Sequence, residues 1–152
     1  MLKDLVPLEL PRPELKLARK NDQPMVWDQL RRKYLVLTPE EWVRQHWMHY
    51  LVAAKEVPWT SMAVEGGFQL YKQTQRSDIL VYKYRKPYLL VECKAPQIKI
   101  SPKTLAQANR YNFSLGCSLL VLSNGIQHWV LEYQQASQSW QASNALPSFK
   151  NW

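Results

Sequence analysis

Short bursts of apolar residues, each with its own period, divide this chain into elements. Leu15 and Leu17 alternate with polar neighbours over Glu14–Arg19, the period-two pattern of a strand. Asn21-Asp22-Gln23-Pro24 is a turn signal and Met25-Val26-Trp27 resumes extended structure, which predicts a β-hairpin after an irregular, Pro- and Leu-rich lead-in over residues 1–13. Thr38-Pro39-Glu40-Glu41 then opens the clearest helix. Thr38 suits the N-cap, Pro39 the first turn, and Glu41 the far corner of a capping box. Trp42, Val43, Trp47, Tyr50, Leu51 and Ala54 give that helix a broad apolar stripe ending near Lys55 or Glu56, just before Val57-Pro58.

Met62-Ala63-Val64-Glu65 reads as a short strand broken by Gly66-Gly67, with Phe68-Gln69-Leu70 extending toward a loop at 72–75. Two unbroken apolar runs follow, Ile79-Leu80-Val81-Tyr82 and Tyr88-Leu89-Leu90-Val91, of the kind that fills buried strands. Ser101-Pro102 starts a second helix through about Leu115, ended by Gly116. Cys117–Leu122 is an apolar strand of the fully buried kind, Asn124-Gly125 a hairpin turn, and Ile126–Tyr133 the returning strand, where His128 and Trp129 fit packing roles. From residue 134 the composition shifts to Gln, Ser and Ala, which reads as a tail or a short extra strand around Trp140. The order is β-hairpin, helix, strand, β-hairpin, helix, β-hairpin. It predicts an α/β (α+β) fold with a mixed β-sheet flanked by helices, the strand after the second helix lying parallel to the one before it.

Charge at the ends of the two central runs changes the picture. Arg76-Ser77-Asp78 precedes the first and Glu92-Cys93-Lys94 closes the second. An antiparallel pairing around Tyr84-Arg85-Lys86 sets Asp78 opposite Glu92, Leu80 opposite Leu90 and Tyr82 opposite Tyr88. The side-chain period of two then puts Lys94 on the face of Asp78 and Glu92, and Cys93 on the other. Two carboxylates and an ammonium so placed could hold a divalent cation and a water; equally, an Asp at a strand start and a solvated Glu/Lys pair would leave the same trace.

Composition narrows the partners. Twenty Lys and Arg against twelve Asp and Glu give a formal net charge of +8 and favour an anionic partner, of which nucleic acid is the commonest. Arg31-Arg32-Lys33 fits either a solvated face or a phosphate contact. There is no CxxC, and Cys93 and Cys117 fall inside apolar strands, so buried thiols are expected rather than a zinc site. His46 and His49 share a helical face without an evident third ligand. No GxxxxGK loop is present, so this chain is expected to carry no ATP site of the P-loop kind. No run of 18 apolar residues occurs, the first residues lack a secretory h-region, and a cytoplasmic location with no membrane partner is the expectation.

These motifs in this order carry a resemblance. Thr38-Pro-Glu-Glu-Trp-Val-Arg44, Arg76-Ser-Asp-Ile79, Glu92-Cys-Lys-Ala95, Gln107-Ala-Asn-Arg-Tyr111 and Ser123-Asn-Gly125 together resemble the PD-(D/E)xK nuclease superfamily. More narrowly they resemble the N-terminal nuclease domain of the type I restriction enzyme R subunit, over about residues 14–133. Ser77 stands where the superfamily label has Pro. The resemblance implies a restriction-endonuclease-like fold and Mg²⁺-dependent endonucleolytic hydrolysis of DNA, with Mn²⁺ as a substitute. Asp78, Glu92 and the backbone carbonyl of Cys93 would bind the metal, and Lys94 would orient or help deprotonate the attacking water. Glu41 would be an accessory acid, while Gln107, Tyr111, Arg44 and Arg76 would face DNA. Gln107 and Tyr111 equally fit an ordinary hydrogen-bonded helix face, and Glu41 is explained by capping alone. The partners implied are the helicase, methyltransferase and specificity subunits of a restriction system. With no motor in the sequence given, a stand-alone nuclease module of residues 1–133 with a tail at 134–152 is expected. The alternatives are a nucleic-acid-binding module that does not cut and a catalytically silent interaction protein of the same fold.

Overall fold

The computed structural model of the protein describes residues 5–64 and 78–152. The glycine break at 66–67, the extension at 68–70, the 72–75 loop, Arg76 and Ser77 lie outside the described residues. Nine strands and two α-helices are defined there: β1 (Leu17–Lys20), β2 (Gln23–Asp28), β3 (Lys33–Val36), α1 (Pro39–Lys55), β4 (Met62–Val64), β5 (Ile79–Lys83), β6 (Lys86–Cys93), α2 (Pro102–Leu115), β7 (Leu119–Ser123), β8 (His128–Gln134) and β9 (Ser139–Ser143). β1–β3 form an antiparallel sheet, and β4-β5-β6-β7-β8-β9 a mixed one whose single parallel pair is β6·β7. The fold is α+β, as the element order predicts.

Both helices start where their caps dictate. Thr38 accepts a hydrogen bond from the Glu41 amide (3.0 Å), and Pro39 takes the first turn. Ser101 and Thr104 bond reciprocally, and Gly116 ends α2 in the left-handed conformation (φ 71°) that glycine adopts without strain. Thr38 has only half of the expected capping box: the Glu41 carboxylate turns away to Arg44. Two further details emerge. The basic run 31–33 lies on the surface, with Arg32 and Lys33 exposed, and Lys33 begins β3, a strand the apolar pattern does not announce. The 124–127 connection is a four-residue loop built on Asn124, whose Oδ1 accepts from the Ile126 and Gln127 amides (2.9 and 2.7 Å), so β8 starts at His128 rather than Ile126.

Alternation along the central strands sends side chains to two cores. Val43, Trp47, Met48 and Leu51 of α1 pack on Ile79, Val81, Leu89, Val91 and Val121. On the opposite face, Ala108 of α2 meets Leu80, Leu90, Leu120 and Leu122. Strands covered on both faces read as continuous apolar runs, and burying one such leucine is worth about 1.5–3 kcal/mol. Gly125 (φ 85°) lets the lead-in segment cross the end of the sheet: a Cβ there would lie 2.6 Å from the Leu8 side chain, and the Glu9 amide donates to the Gly125 carbonyl (2.8 Å).

Candidate active site

The charged hairpin pairs in the anticipated register only over its inner half. Ile79, Leu80 and Val81 oppose Val91, Leu90 and Leu89. A bulge between Val81 and Tyr82 then resets the pairing, so that Tyr82 opposes Pro87 rather than Tyr88. The loop is two residues, Tyr84 and Arg85, both at positive φ (55° and 62°), not three. The bulge absorbs the difference: a shorter turn plus one unpaired residue leaves the inner register intact.

Asp78 and Glu92 are each the next position outward from the Ile79–Val91 pair, and both are buried (4 % and 1 % exposed). Leu80 and Leu90 lie in the α2-side core, so period two places Asp78, Glu92 and Lys94 on that same side, and Cys93 in the α1-side core. Lys94 Nζ donates to Glu92 Oε1 at 2.9 Å, while its backbone amide donates to the Ser123 carbonyl (2.8 Å), tying the end of β6 to β7. Burial works against the Lys94 charge. Glu92, by charge and hydrogen bond, then Asp78 and Glu40, outweigh it and hold the pKa above the ordinary lysine value. Burial likewise pushes the Cys93 thiol well up, and Asp78 and Glu92 push the same way. Asp78, Glu92 and Lys94 thus act on one another electrostatically at the end of one strand pair.

The acidic residues of α1 divide differently from the family expectation. Glu41 is buried and bonded to Arg44 (Nε to Oε2, 2.6 Å). Arg44 Nη2 also pairs with Asp28 and with the second oxygen of Glu41, and Gln45 Nε2 donates to Asp28 Oδ2 (3.1 Å). The Arg44 guanidinium has no exposed surface. It therefore contacts no phosphate in this arrangement, and the structure gives it the work of neutralising Asp28 and Glu41. Glu40, one residue earlier and half-buried, is the α1 carboxylate whose charge reaches Lys94. Neither Asp28 nor Glu40 was singled out from sequence, since the first lies in another sheet and the second differs from Glu41 only in helical phase.

Gln107 and Tyr111 are half-buried on α2, with Tyr111 against the α2-side core. Arg76 lies outside the described residues. His46 binds the Trp42 carbonyl through Nδ1 (2.8 Å), and burial holds its pKa below the usual histidine value; His49 stacks edge-on with Trp59. Ser123 Oγ and His128 Nδ1 are 2.7 Å apart, but Ser123 is fully buried, its Oγ also accepts from the Gly125 amide, and His128 Nε2 faces the Glu9 carbonyl. That pair closes the 124–127 loop and presents no nucleophile. Cys93 and Cys117 are free, buried thiols, the second pushed up to about 12 by burial.

A cation at this site would rely on few protein ligands. Among the described residues no group of three or more His, Cys, Asp or Glu side chains is placed to hold one. Asp78 and Glu92 offer carboxylate oxygens, with Cys93 able to add its backbone oxygen. Hard oxygens in small number suit Mg²⁺, which keeps several of its waters. The donor set fits that ion. No helix among the described residues is long and apolar enough to cross a membrane. The model of one protein family, described as the type I restriction enzyme R protein N terminus, matches residues 39–147. No curated protein and no solved structure matches the chain.

Proposed function

The chain belongs to the family of the type I restriction enzyme R protein N terminus, and from that premise we propose that it is a Mg²⁺-dependent DNA endonuclease acting through Asp78, Glu92 and Lys94. The family makes it a nuclease-like module in a restriction-system setting, with DNA as its substrate. One observation carries the reading: two buried carboxylates share a strand end with a lysine that is bonded to one and acted on by the charge of the other, and that lysine side chain is still 21 % exposed.

Asp78 and Glu92 would hold the cation, with the Cys93 carbonyl as a third oxygen. When bound there, the ion supplies polarisation of the phosphate and a more acidic water. The chain's own residues do the rest. In the metal-free site the surrounding carboxylates hold the Lys94 pKa up, so the ammonium is present as a donor before a cation binds. Lys94 would orient or help deprotonate the attacking water and offset charge that builds on the phosphate. Its amide bond to Ser123 fixes where that donor can reach. Glu40 adds a further negative charge that acts on the Lys94 ammonium. Gln107 and Tyr111 stay candidates for the DNA-facing edge of α2.

The test is supercoiled plasmid incubated with the protein and Mg²⁺ or Mn²⁺, beside Asp78→Asn and Lys94→Ala. Each substitution should slow nicking about 10²- to 10³-fold, the size of losing one electrostatic stabiliser. Calorimetry with Mn²⁺ should show binding that Asp78→Asn abolishes. Nicking equal to wild type in both variants would remove the reading, and Mn²⁺ binding without cleavage would favour a module that engages DNA without cutting it.

A further inference from the structure

A second concave site lies at the far end of the sheet. α2 runs antiparallel to β6 and β7, so its N-terminus stands at the carboxylate end and its C-terminus at the other, about 21 Å away for a 14-residue helix. There, α2, the 116–118 connection, β8 and β9 enclose a cleft of about 340 Å³, within the range of sites that take small planar ligands.

Three aromatic side chains stand in its lining beside amides and the Ser118 and Tyr133 hydroxyls. Tyr133 and Trp140 meet edge to face with centroids 5.3 Å apart, and Trp140 Nε1 donates to Asn109 Oδ1 (2.9 Å), which fixes the indole. Phe113 stands on the rim and is 92 % exposed, the most exposed of the large apolar side chains among the described residues. An isolated surface phenylalanine needs no explanation, but one at the mouth of an aromatic cleft adds a stacking face. Asn109, Gln135 and Gln138 bring side-chain amides, each able to both donate and accept, which is what the edge of a nucleobase requires.

The approach to the cleft is basic. α2 contains no acidic residue, and Lys103, Gln107, Arg110 and Ser114 fall at spacings of three and four that put them on one helical face. Arg110 on this row neighbours Phe113 three residues on, so the charge borders the mouth of the cleft across the outer face of α2. A stacking platform fed by a cationic track is the arrangement by which proteins hold unpaired nucleic acid, where any base can stack and phosphates follow the charge.

We propose that the cleft takes an unstacked nucleobase from a single-stranded segment whose backbone runs along Lys103 and Arg110. The inference rests on the reading of this chain as a nucleic-acid enzyme and adds to it a preference for DNA with an unpaired stretch next to the cut. A protein surface is disfavoured as occupant, since the cleft is small, amide-lined and entered along positive charge.

Fluorescence anisotropy in EDTA, with a labelled oligothymidylate of about 12 nucleotides and a blunt duplex of the same length, tests this directly. Phe113→Ala should weaken single-strand binding about ten-fold, as for one lost base–aromatic stack, and change duplex binding far less. Arg110→Gln should weaken both and flatten their salt dependence. Because Phe113 is almost wholly exposed, its removal leaves folding intact. Equal effects of Phe113→Ala on both DNAs, no effect on either, or no measurable single-strand affinity would each overturn the proposal, the last leaving the ring to a protein partner. EDTA makes the result independent of hydrolysis, so failure of the nuclease reading would appear in the plasmid assay alone.

Discussion

Two charged clusters, one at each side of α1's first turns, do different work. Around Arg44, the carboxylates of Asp28 and Glu41 face the guanidinium, Asp28 also takes the Arg31 amide (2.8 Å), and Gln45 adds a donor. Counting Arg31, whose charge also acts on Asp28, two negative groups meet two positive ones, and Arg44 and Asp28 have no exposed side-chain surface. Around Lys94, three carboxylates, Glu92, Asp78 and Glu40, act on one ammonium that solvent still reaches. Balanced and closed charge locks a structure. A cluster that solvent still reaches suits a cation that comes and goes, and that contrast with the closed cluster separates scaffold from candidate chemistry.

The largest effect should come from breaking the closed cluster. Arg44→Ala leaves Asp28 and Glu41 buried without their counter-charge and should destabilise the protein by about 3–5 kcal/mol in urea denaturation. Asp28→Asn should cost less, since Glu41 keeps its bidentate partner. If Arg44→Ala unfolded at the wild-type midpoint but lost DNA affinity, Arg44 would be a phosphate contact after all and the division drawn here would fail.

That division was only half legible in the chain. The inner hairpin register, the parallel β6·β7 pair and the caps of α2 rest on local signals: apolar runs, a capping Ser, a terminal Gly. They place Asp78, Glu92 and Lys94 on one face without knowledge of anything distant. The pairing of Arg44 is not legible because its partner Asp28 lies sixteen residues back in a separate sheet, and pattern along one helix carries no trace of it. Glu41 was ambiguous for a physical reason: a first-turn Glu can fold back to a cap or forward to an arginine three residues on, and the buried guanidinium wins. The bulge at Val81/Tyr82 was hidden because a two-residue turn with a bulge and a three-residue turn without one give the same inner register.

The open cluster should respond to a cation and the closed one should not. With Mg²⁺ at about a hundred times its dissociation constant, the wild type should gain about 2.7 kcal/mol and Asp78→Asn almost none. Thermal unfolding with and without Mg²⁺ reads the difference. No metal-linked gain in wild type would make the second cluster structural like the first.

The smallest effects are the pH arms, and their signs again separate the clusters. Asp28 is pushed up by burial but pulled below its ordinary value by Arg44, so its contribution is present above about pH 3.8 and disappears as pH falls through the lower folded value. His46 is held below its ordinary value by burial, which the Trp42 carbonyl opposes and Arg12 and His49 reinforce. Its neutral form is favoured in the fold, so stability is complete above about pH 6.5 and declines as pH falls toward the folded value. Lys94 has the reverse sign. Burial lowers its pKa, Glu92 and the neighbouring carboxylates raise it further, and the stability it contributes is full below about pH 10.5 and lost as pH rises through the folded value. Denaturation midpoints should therefore fall on the acid side as Asp28, His46 and the similarly buried His49 take up protons, and on the alkaline side as Lys94, Cys93, Cys117, Tyr82 and Tyr88, all held above their ordinary values, lose theirs. Lys94→Gln should remove only its own share of the alkaline loss and leave the acid side in place. An alkaline limb identical to wild type in Lys94→Gln would mean that the ammonium is not held by the carboxylates around it, and the donor role assigned to it would lose its electrostatic basis.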